Sequence, residues 1–250
     1  MRIRITATPK TNDTLLPVSY NYYLQTFIYS LFKEDMPDFH QKGYSFKKRL
    51  FKNFTFSRIT SPRMHLGLKG WHLGDEICFF ISFYDIKAAE TALLNLMGVR
   101  EFRLGPAEFD VATIKTIFTD EDFPGDSENT QFRFITLSPI VVHRTEEKND
   151  GKKTIYYNPE HEEFYELLAS NLKRKAMSVG LTDDEAVCFS PVDVDPEKSL
   201  AIVRYKDFMI KGHMGIFNFS GSKGYAKVAL EAGIGSKNAQ GFGMIRIIPD

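Results

Sequence analysis

Ser222-Lys-Gly-Tyr-Ala-Lys-Val-Ala-Leu-Glu-Ala-Gly233-Ile-Gly-Ser-Lys237-Asn-Ala-Gln-Gly241-Phe-Gly243-Met-Ile-Arg-Ile-Ile248 reads as helix, loop and strand in that order. Ser222 is a residue type that caps helices, because its hydroxyl accepts from backbone N–H groups of the first turn. Gly233 suits the helix end, since glycine takes a positive φ without a Cβ clash. Gly243–Ile248 is apolar and β-branched, as strands are. Between them lie four glycines in eleven residues around Lys237. Backbone N–H groups in such a loop can approach a phosphate closely. It is not a dinucleotide fingerprint, which needs a preceding strand and a third glycine where Asn238 stands, nor a Walker A loop, because no Gly-Lys-Ser/Thr follows at the required spacing. A plain helix-to-strand connection needs about two to six residues. This loop is expected to do more than connect.

Upstream, one order of elements occurs twice. Arg2–Pro9 alternates, with Ile3, Ile5 and Ala7 on one side and Arg2, Arg4 and Thr6 on the other, the pattern of a half-buried strand. Asn21–Lys33 sets Leu24, Phe27, Ile28, Leu31 and Phe32 at helical spacing. Phe54–Ile59 and Glu76–Phe83 read as strands. Ile86–Met97 is a helix with Ala89, Ala92, Leu93, Leu96 and Met97 on one stripe, and Phe102–Ile117 is strand again. The second half follows with Gln131–His143 as strand, Ile155–Asn158 as a short extra strand and Pro159–Met177 as a helix with proline in its first turn. Leu200–Phe208 and Gly215–Phe219 read as a strand pair before the closing helix and strand. The expected class is α+β: two tandem ferredoxin-like (RRM-like, βαββαβ) domains with a C-terminal glycine-rich loop. The boundary falls in the acidic stretch Asp120–Thr130, giving domains 1–124 and 125–250.

Composition narrows the function classes. The 250 residues are 43% hydrophobic and 26% charged, ordinary for a chain with a packed core. The 22 Phe and 11 Tyr suit β-rich packing and base stacking. No apolar run reaches a membrane span, and the N-terminus lacks the apolar core of a signal peptide. Cys78 and Cys188 stand apart, against a metal knuckle or a disulfide framework, so a cytoplasmic location is expected. Net charge is zero, yet charge is segregated. Phe39–Gly74 holds Lys42, Lys47, Lys48, Arg49, Lys52, Arg58, Arg63 and Lys69 without one acid, while acids gather at Asp120–Glu128 and Asp183–Glu197. One basic face is enough to bind a polyanion, because local field and counterion release drive the association.

The helix–GhGxxxxxGhG–strand ending (h, hydrophobic), carried by Gly233, Gly235, Gly241 and Gly243, resembles the signature of the repeat-associated RNA-binding proteins of CRISPR systems. Pro17-Val-Ser-Tyr-Asn-Tyr-Tyr-Leu-Gln25, Phe27-Ile-Tyr29 and Thr136-Leu-Ser-Pro139 resemble their stand-alone endoribonuclease branch, which cuts repeat transcripts into guide RNAs. The resemblance implies CRISPR repeat RNA as partner, no cofactor and no metal. It also implies attack of the ribose 2′-OH on the adjacent phosphate, leaving a 2′,3′-cyclic phosphate and a 5′-OH. Whether the RNA is single-stranded or a hairpin, and whether the chain dimerises or joins other CRISPR subunits, stays open.

Such chemistry needs a group to take the 2′ proton, a group to protonate the 5′ oxygen and a cation for the phosphorane charge. His40 matches the family's histidine. It follows Pro37, opens the acid-free segment, and an imidazole can move protons near neutrality. Tyr29 matches a tyrosine that assists catalysis in some members. At about 100° per residue it lies roughly 130° from the centre of the Leu24–Phe32 stripe, so it should face solvent or a cleft. A free tyrosine titrates near 10, which makes orienting the 2′-OH a safer role than base. The matching lysine does not align cleanly. Lys48 is favoured slightly over Lys47 as charge stabiliser, with Lys42 also in range, and any of them could instead bind backbone phosphate. Arg49, Lys52, Lys237 and Asn238, with the four loop glycines, complete the expected RNA surface. His213, in Lys211-Gly-His-Met-Gly215, reads as a hairpin-turn residue able to reach RNA. His65 and His72 lack carboxylate or Cys at ligand spacing, and the acids beside His161 suit a helix start. Two other classes compete: a non-catalytic RNA-binding subunit of the same superfamily, and a ferredoxin-like module that binds a small anion at the glycine loop.

Overall fold

The computed structural model describes residues 1–117, 129–148, 151–182 and 186–249. The expected boundary at 124/125 and the acidic run 183–185 lie outside them. In the first half, Phe54–Phe56, Ile77–Phe83, Arg2–Pro9, Ala107–Ile117 and Glu101–Leu104 form, in that order, an antiparallel sheet. Ile3, Ile5 and Ala7 are fully buried and share one core with Leu24 and Ile28 of helix Tyr20–Ser30 and with Ala89 and Leu96 of helix Ile86–Met97. Asp85 starts the latter helix, its carboxylate accepting from the N–H groups of Lys87 and Ala88. In the second half the sheet order is Cys188–Asp193, Ile216–Ser222, Asn129–Thr136 and Ile245–Ile248. Helices Glu162–Ser178 and Lys223–Ala232 share its core. In each sheet the half's first main strand lies between its third and fourth, so both halves are ferredoxin-like.

Several expected elements resolve differently. Phe102–Ile117 is a hairpin, because Gly105 turns the chain at φ +66°. Gln131–His143 ends as a strand at Thr136, and His143 instead opens a separate hairpin with Gly151–Tyr156. Pro159 precedes its helix, which starts at Glu162 after His161. Leu200–Tyr205 pairs with Phe208–His213, while Ile216–Ser222 belongs to the main sheet. Its partner Cys188–Asp193 carries Pro191, which an edge strand tolerates. Met97, expected on the buried stripe, is exposed.

The first strand's polar side is partly covered, at Arg2 and Thr6. Arg2 is 3% exposed, and its guanidinium donates to the carbonyls of Leu230 (3.1 Å) and Ile245 (2.7 Å) in the second half. Arg58 N–H donates to Leu137 O at 2.9 Å. Hydrogen bonds with a charged partner contribute about 1.5–3 kcal/mol each, so Arg2 helps hold the two halves together.

Candidate functional site

The glycine-rich loop is mostly internal. Gly233, Gly235, Gly241 and Gly243 are buried and have φ of +80°, +69°, +85° and +72°. A Cβ on Gly243 would stand 1.8 Å from Ile234 O, and one on Gly241 2.2 Å from the Phe56 ring in the first half. Five of its N–H groups donate within the protein: Ile234 to Gly243 O, Ser236 to Val141 O, Gln240 to Lys237 O, Gly241 to Asn238 O and Gly243 to Pro139 O. Its carbonyls accept from both halves. Asn21 Nδ2 donates to Gln240 O (2.9 Å), Gln25 Nε2 to Ala239 O (2.5 Å) and Thr55 Oγ1 to Phe242 O (2.9 Å). Asn238 Nδ2 spans the loop from Ile234 O to Phe242 O, at 2.9 Å each. The expected phosphate cradle is thus a latch between the halves, and its glycines serve close packing. Lys237, at φ +64°, is the loop's outward-facing cation and lines a cleft.

That cleft, about 850 Å³, runs between the halves. Arg49 and Lys52 line it from the first half, and Arg144, Arg174, Lys175 and Lys237 from the second. Glu146 is the one carboxylate among its described lining residues. Burial and the neighbouring Arg49 pull Arg174 below the usual guanidinium range, and burial lowers Lys237 and Lys52. Lys175 is 2% exposed, pushed by burial to about 7, and donates to Gly233 O and to Asn238 Oδ1 (2.7 Å). Several lining atoms are buried with no hydrogen-bond partner in the protein: both amide atoms of Asn53, His143 Nδ1, Asn171 Oδ1, Arg174 Nε and Gln240 Oε1. Unsatisfied polar atoms cost about 1–3 kcal/mol each. Together with uncompensated cations they describe a surface suited to a polar anion.

Tyr29 and His40 lie in an adjoining cavity of about 370 Å³, and Gln25 and Tyr29 line both spaces. The two rings meet at 4.6 Å, edge to face. Helix Tyr20–Ser30 presents Tyr29, while the 3₁₀ turn Pro37–His40 brings His40 back over it. Phe39, stacked on Phe32 at 3.8 Å, anchors that turn. Burial, with Tyr205 nearby, pushes Tyr29 up to about 12, so it stays a neutral phenol in the physiological range. Lys52 Nζ donates to the carbonyls of His40 (2.7 Å) and Lys42 (2.6 Å), fixing the segment after the turn. Lys42 pairs with Asp38 at 3.1 Å. Lys47 and Lys48 form the exposed tip of hairpin Tyr44–Phe46/Arg49–Phe51, and neither lines the Tyr29–His40 cavity.

A scan against protein-family models matches residues 15–115 to "CRISPR-associated protein Cas6, N-terminal" and residues 120–247 to "CRISPR associated protein Cas6, C-terminal". The chain belongs to the Cas6 family. An endoribonuclease-like Cas6 protein of Pyrococcus furiosus is 28% identical, with all of both chains covered. The Methanocaldococcus jannaschii protein named "CRISPR-associated endoribonuclease Cas6 1" is 28% identical over 96% of this chain and 90% of its own. A solved structure of a Cas6-related protein from Pyrococcus furiosus superposes with TM-score 0.84 at 26% identity, covering 100% of this chain and 99% of its own.

The Cas6 fold thus brings Tyr29, His40, Arg49, Lys52, Lys237 and Asn238 to adjoining cavities. It leaves Lys42, Lys47 and Lys48 on the exposed surface. His213 is misplaced by the sequence reading. It ends strand Phe208–His213, is 5% exposed, stands 3.0 Å from Ser199 Oγ and packs edge-on to Phe164. The turn of that hairpin is Lys206–Asp207. Burial pushes His213 down to about 4, a core histidine and not a surface one. Sequence reasoning missed Arg144, Arg174 and Lys175 of the cleft and Lys206, which lines the Tyr29–His40 cavity. Lys175, aligned with buried Leu168, Leu172 and Ala176 on its helix, was the legible anomaly. No group of three metal-ligating side chains occurs among the described residues, nor any helix long and apolar enough to cross a membrane.

Proposed function

We propose that this chain is a cytoplasmic endoribonuclease that cuts CRISPR repeat transcripts into guide RNAs at the Tyr29–His40 cavity, without a metal ion. The supporting observation is the 4.6 Å pairing of His40 with Tyr29 beside a cleft lined by Arg49, Lys52, Arg174 and Lys237. In the reaction a ribose 2′ oxygen attacks the adjacent phosphorus and the bond to the 5′ oxygen breaks. One proton leaves the 2′ oxygen and one reaches the 5′ oxygen, giving a 2′,3′-cyclic phosphate and a 5′-OH. His40 moves a proton. Tyr29, held as a phenol, orients the 2′-OH or the phosphate. The cleft cations hold the RNA backbone by charge-assisted hydrogen bonds, and Lys42, Lys47 and Lys48 extend that path over the surface. Two domains, 1–124 and 125–250, carry the two walls.

A second reading, a subunit that holds repeat RNA and does not cut, is favoured by one observation: a full-length relative is named only endoribonuclease-like. One experiment separates them. The purified protein is incubated with its host's repeat RNA in EDTA and the product ends are analysed. A single cut ending in a 2′,3′-cyclic phosphate is expected. Dependence on Mg²⁺ overturns the metal-free mechanism, and tight binding with no cut under either condition establishes the second reading.

A further inference from the structure

Hairpin Leu200–Tyr205/Phe208–His213 belongs to the second half but reaches the first helix. Tyr22, Gln25 and Tyr29, spaced i, i+3 and i+7, share one face of that helix. The Tyr205 hydroxyl donates to Gln25 Oε1, and its ring meets Tyr22 edge-on at 6.0 Å. These contacts set Lys206, at the hairpin turn, with its Nζ 4.7 Å from the Tyr22 ring centre. Lys206 also lines the cavity that holds Tyr29 and His40. Its φ is +53°, a backbone conformation that glycine adopts more readily. The lysine therefore stands where it costs folding energy, and no ion pair among the described residues engages it.

The other cations near the cavity are placed differently. Lys52 is committed to the His40 and Lys42 carbonyls, and Lys47, which also has a positive φ (+52°) and lies 5.4 Å from the Phe46 ring centre, does not line the cavity. Lys33 lines the same cavity from the chain just past the helix end, with no comparable tether, and is the control.

We propose that Lys206, carried across from the second half, supplies the cation for the phosphate cleaved beside Tyr29 and His40. The site is then composite, complete only when the two halves are latched. Lys206 transfers no proton. It balances the negative charge that builds on the non-bridging phosphate oxygens as the 2′ oxygen bonds to phosphorus and the 5′ oxygen departs. This deepens the reading of that cavity as the cleavage site and rests on it.

The test uses the full chain with two RNAs: an all-ribose repeat, and the same repeat with a 2′-deoxy residue at the cut position, which cannot be cleaved. Under saturating protein, Lys206→Ala is expected to slow the single-turnover cut by about 10²-fold, Lys206→Arg to recover to within roughly tenfold of wild type, and Lys33→Ala to change the rate much less than Lys206→Ala. On the 2′-deoxy RNA, Lys206→Ala is expected to lower the salt slope of binding by about 0.7. A Lys206→Ala protein that cuts at the wild-type rate, or binds the deoxy RNA with an unchanged slope, overturns the proposal. A wild type that binds the deoxy RNA with a Lys206-dependent slope, yet cuts no all-ribose RNA, overturns the cleavage reading and leaves the phosphate contact standing.

Discussion

Two stretches of this protein look equally suited to phosphate, and they do opposite things. The loop Gly233–Gly243 is turned inward, with its glycines against Phe56, Val141 and Ile234 and its carbonyls held by Asn21, Gln25, Thr55 and Lys175. The segment from His40 to Lys52 is turned outward, with Lys42, Lys47, Lys48 and Arg49 exposed. Glycines at positive φ permit close approach, but the approach can be to the protein itself. Cations cannot be turned inward without partners, so a run of lysines with no acid among them stays at the surface. The glycines of the loop are expected to govern stability and assembly, and the basic segment, together with Lys237, to govern RNA.

The largest expected effect lies on the outward side. His40→Ala should reduce cleavage by about 10²–10⁴-fold while RNA affinity and melting temperature stay close to wild type. A variant that still cuts at the normal rate removes His40 from the mechanism. Next comes the loop. Gly243→Ala should lower stability by about 3 kcal/mol, combining backbone strain with overpacking against Ile234 O. Denaturant unfolding reads this directly, and an unchanged midpoint breaks the latch account.

His213 tests which side of the comparison a third element falls on. Its folded-state value near 4 lies below the unfolded one near 6.5. Its contribution to stability is therefore whole above 6.5 and is lost as pH falls towards 4, up to about 3 kcal/mol. His213→Gln should flatten the stability profile in that window and leave RNA binding intact. A strong loss of affinity instead would return His213 to the RNA surface. The smallest effect is expected at Lys47 and Lys48: each change to Ala should lower the salt slope of RNA binding by about 0.7 and shift stability by less than about 0.5 kcal/mol.

Much of the fold could be read directly. Arg2–Pro9 and Ile86–Met97 match their spans, and Ser222 and Gly233 bound the last helix as their chemistry requires. The errors have local causes. Gly105 cut one strand into a hairpin, and Ile216–Ser222 went to the main sheet instead of pairing with Leu200–Tyr205. Strand partners are chosen by whole-sheet packing, which no short window contains. At the candidate site, Tyr29 and His40 could be singled out because both match the family resemblance, while helical spacing placed Tyr29 off the central apolar stripe and Pro37 took His40 out of the helix. Arg144, Arg174 and Lys206 could not, since each is remote in sequence from the residues it joins.

From sequence alone came the two β-α-β-β-α-β halves, the segregation of charge and, through the family resemblance, the candidates His40 and Tyr29. These depend on spacing along the chain, and spacing is local. Only the tertiary structure decided that the glycines face inward, that His213 is buried, and that a lysine from the second half lines the same cavity as a histidine from the first. Those outcomes depend on which surfaces meet, and that is set by the burial of apolar area across the whole molecule.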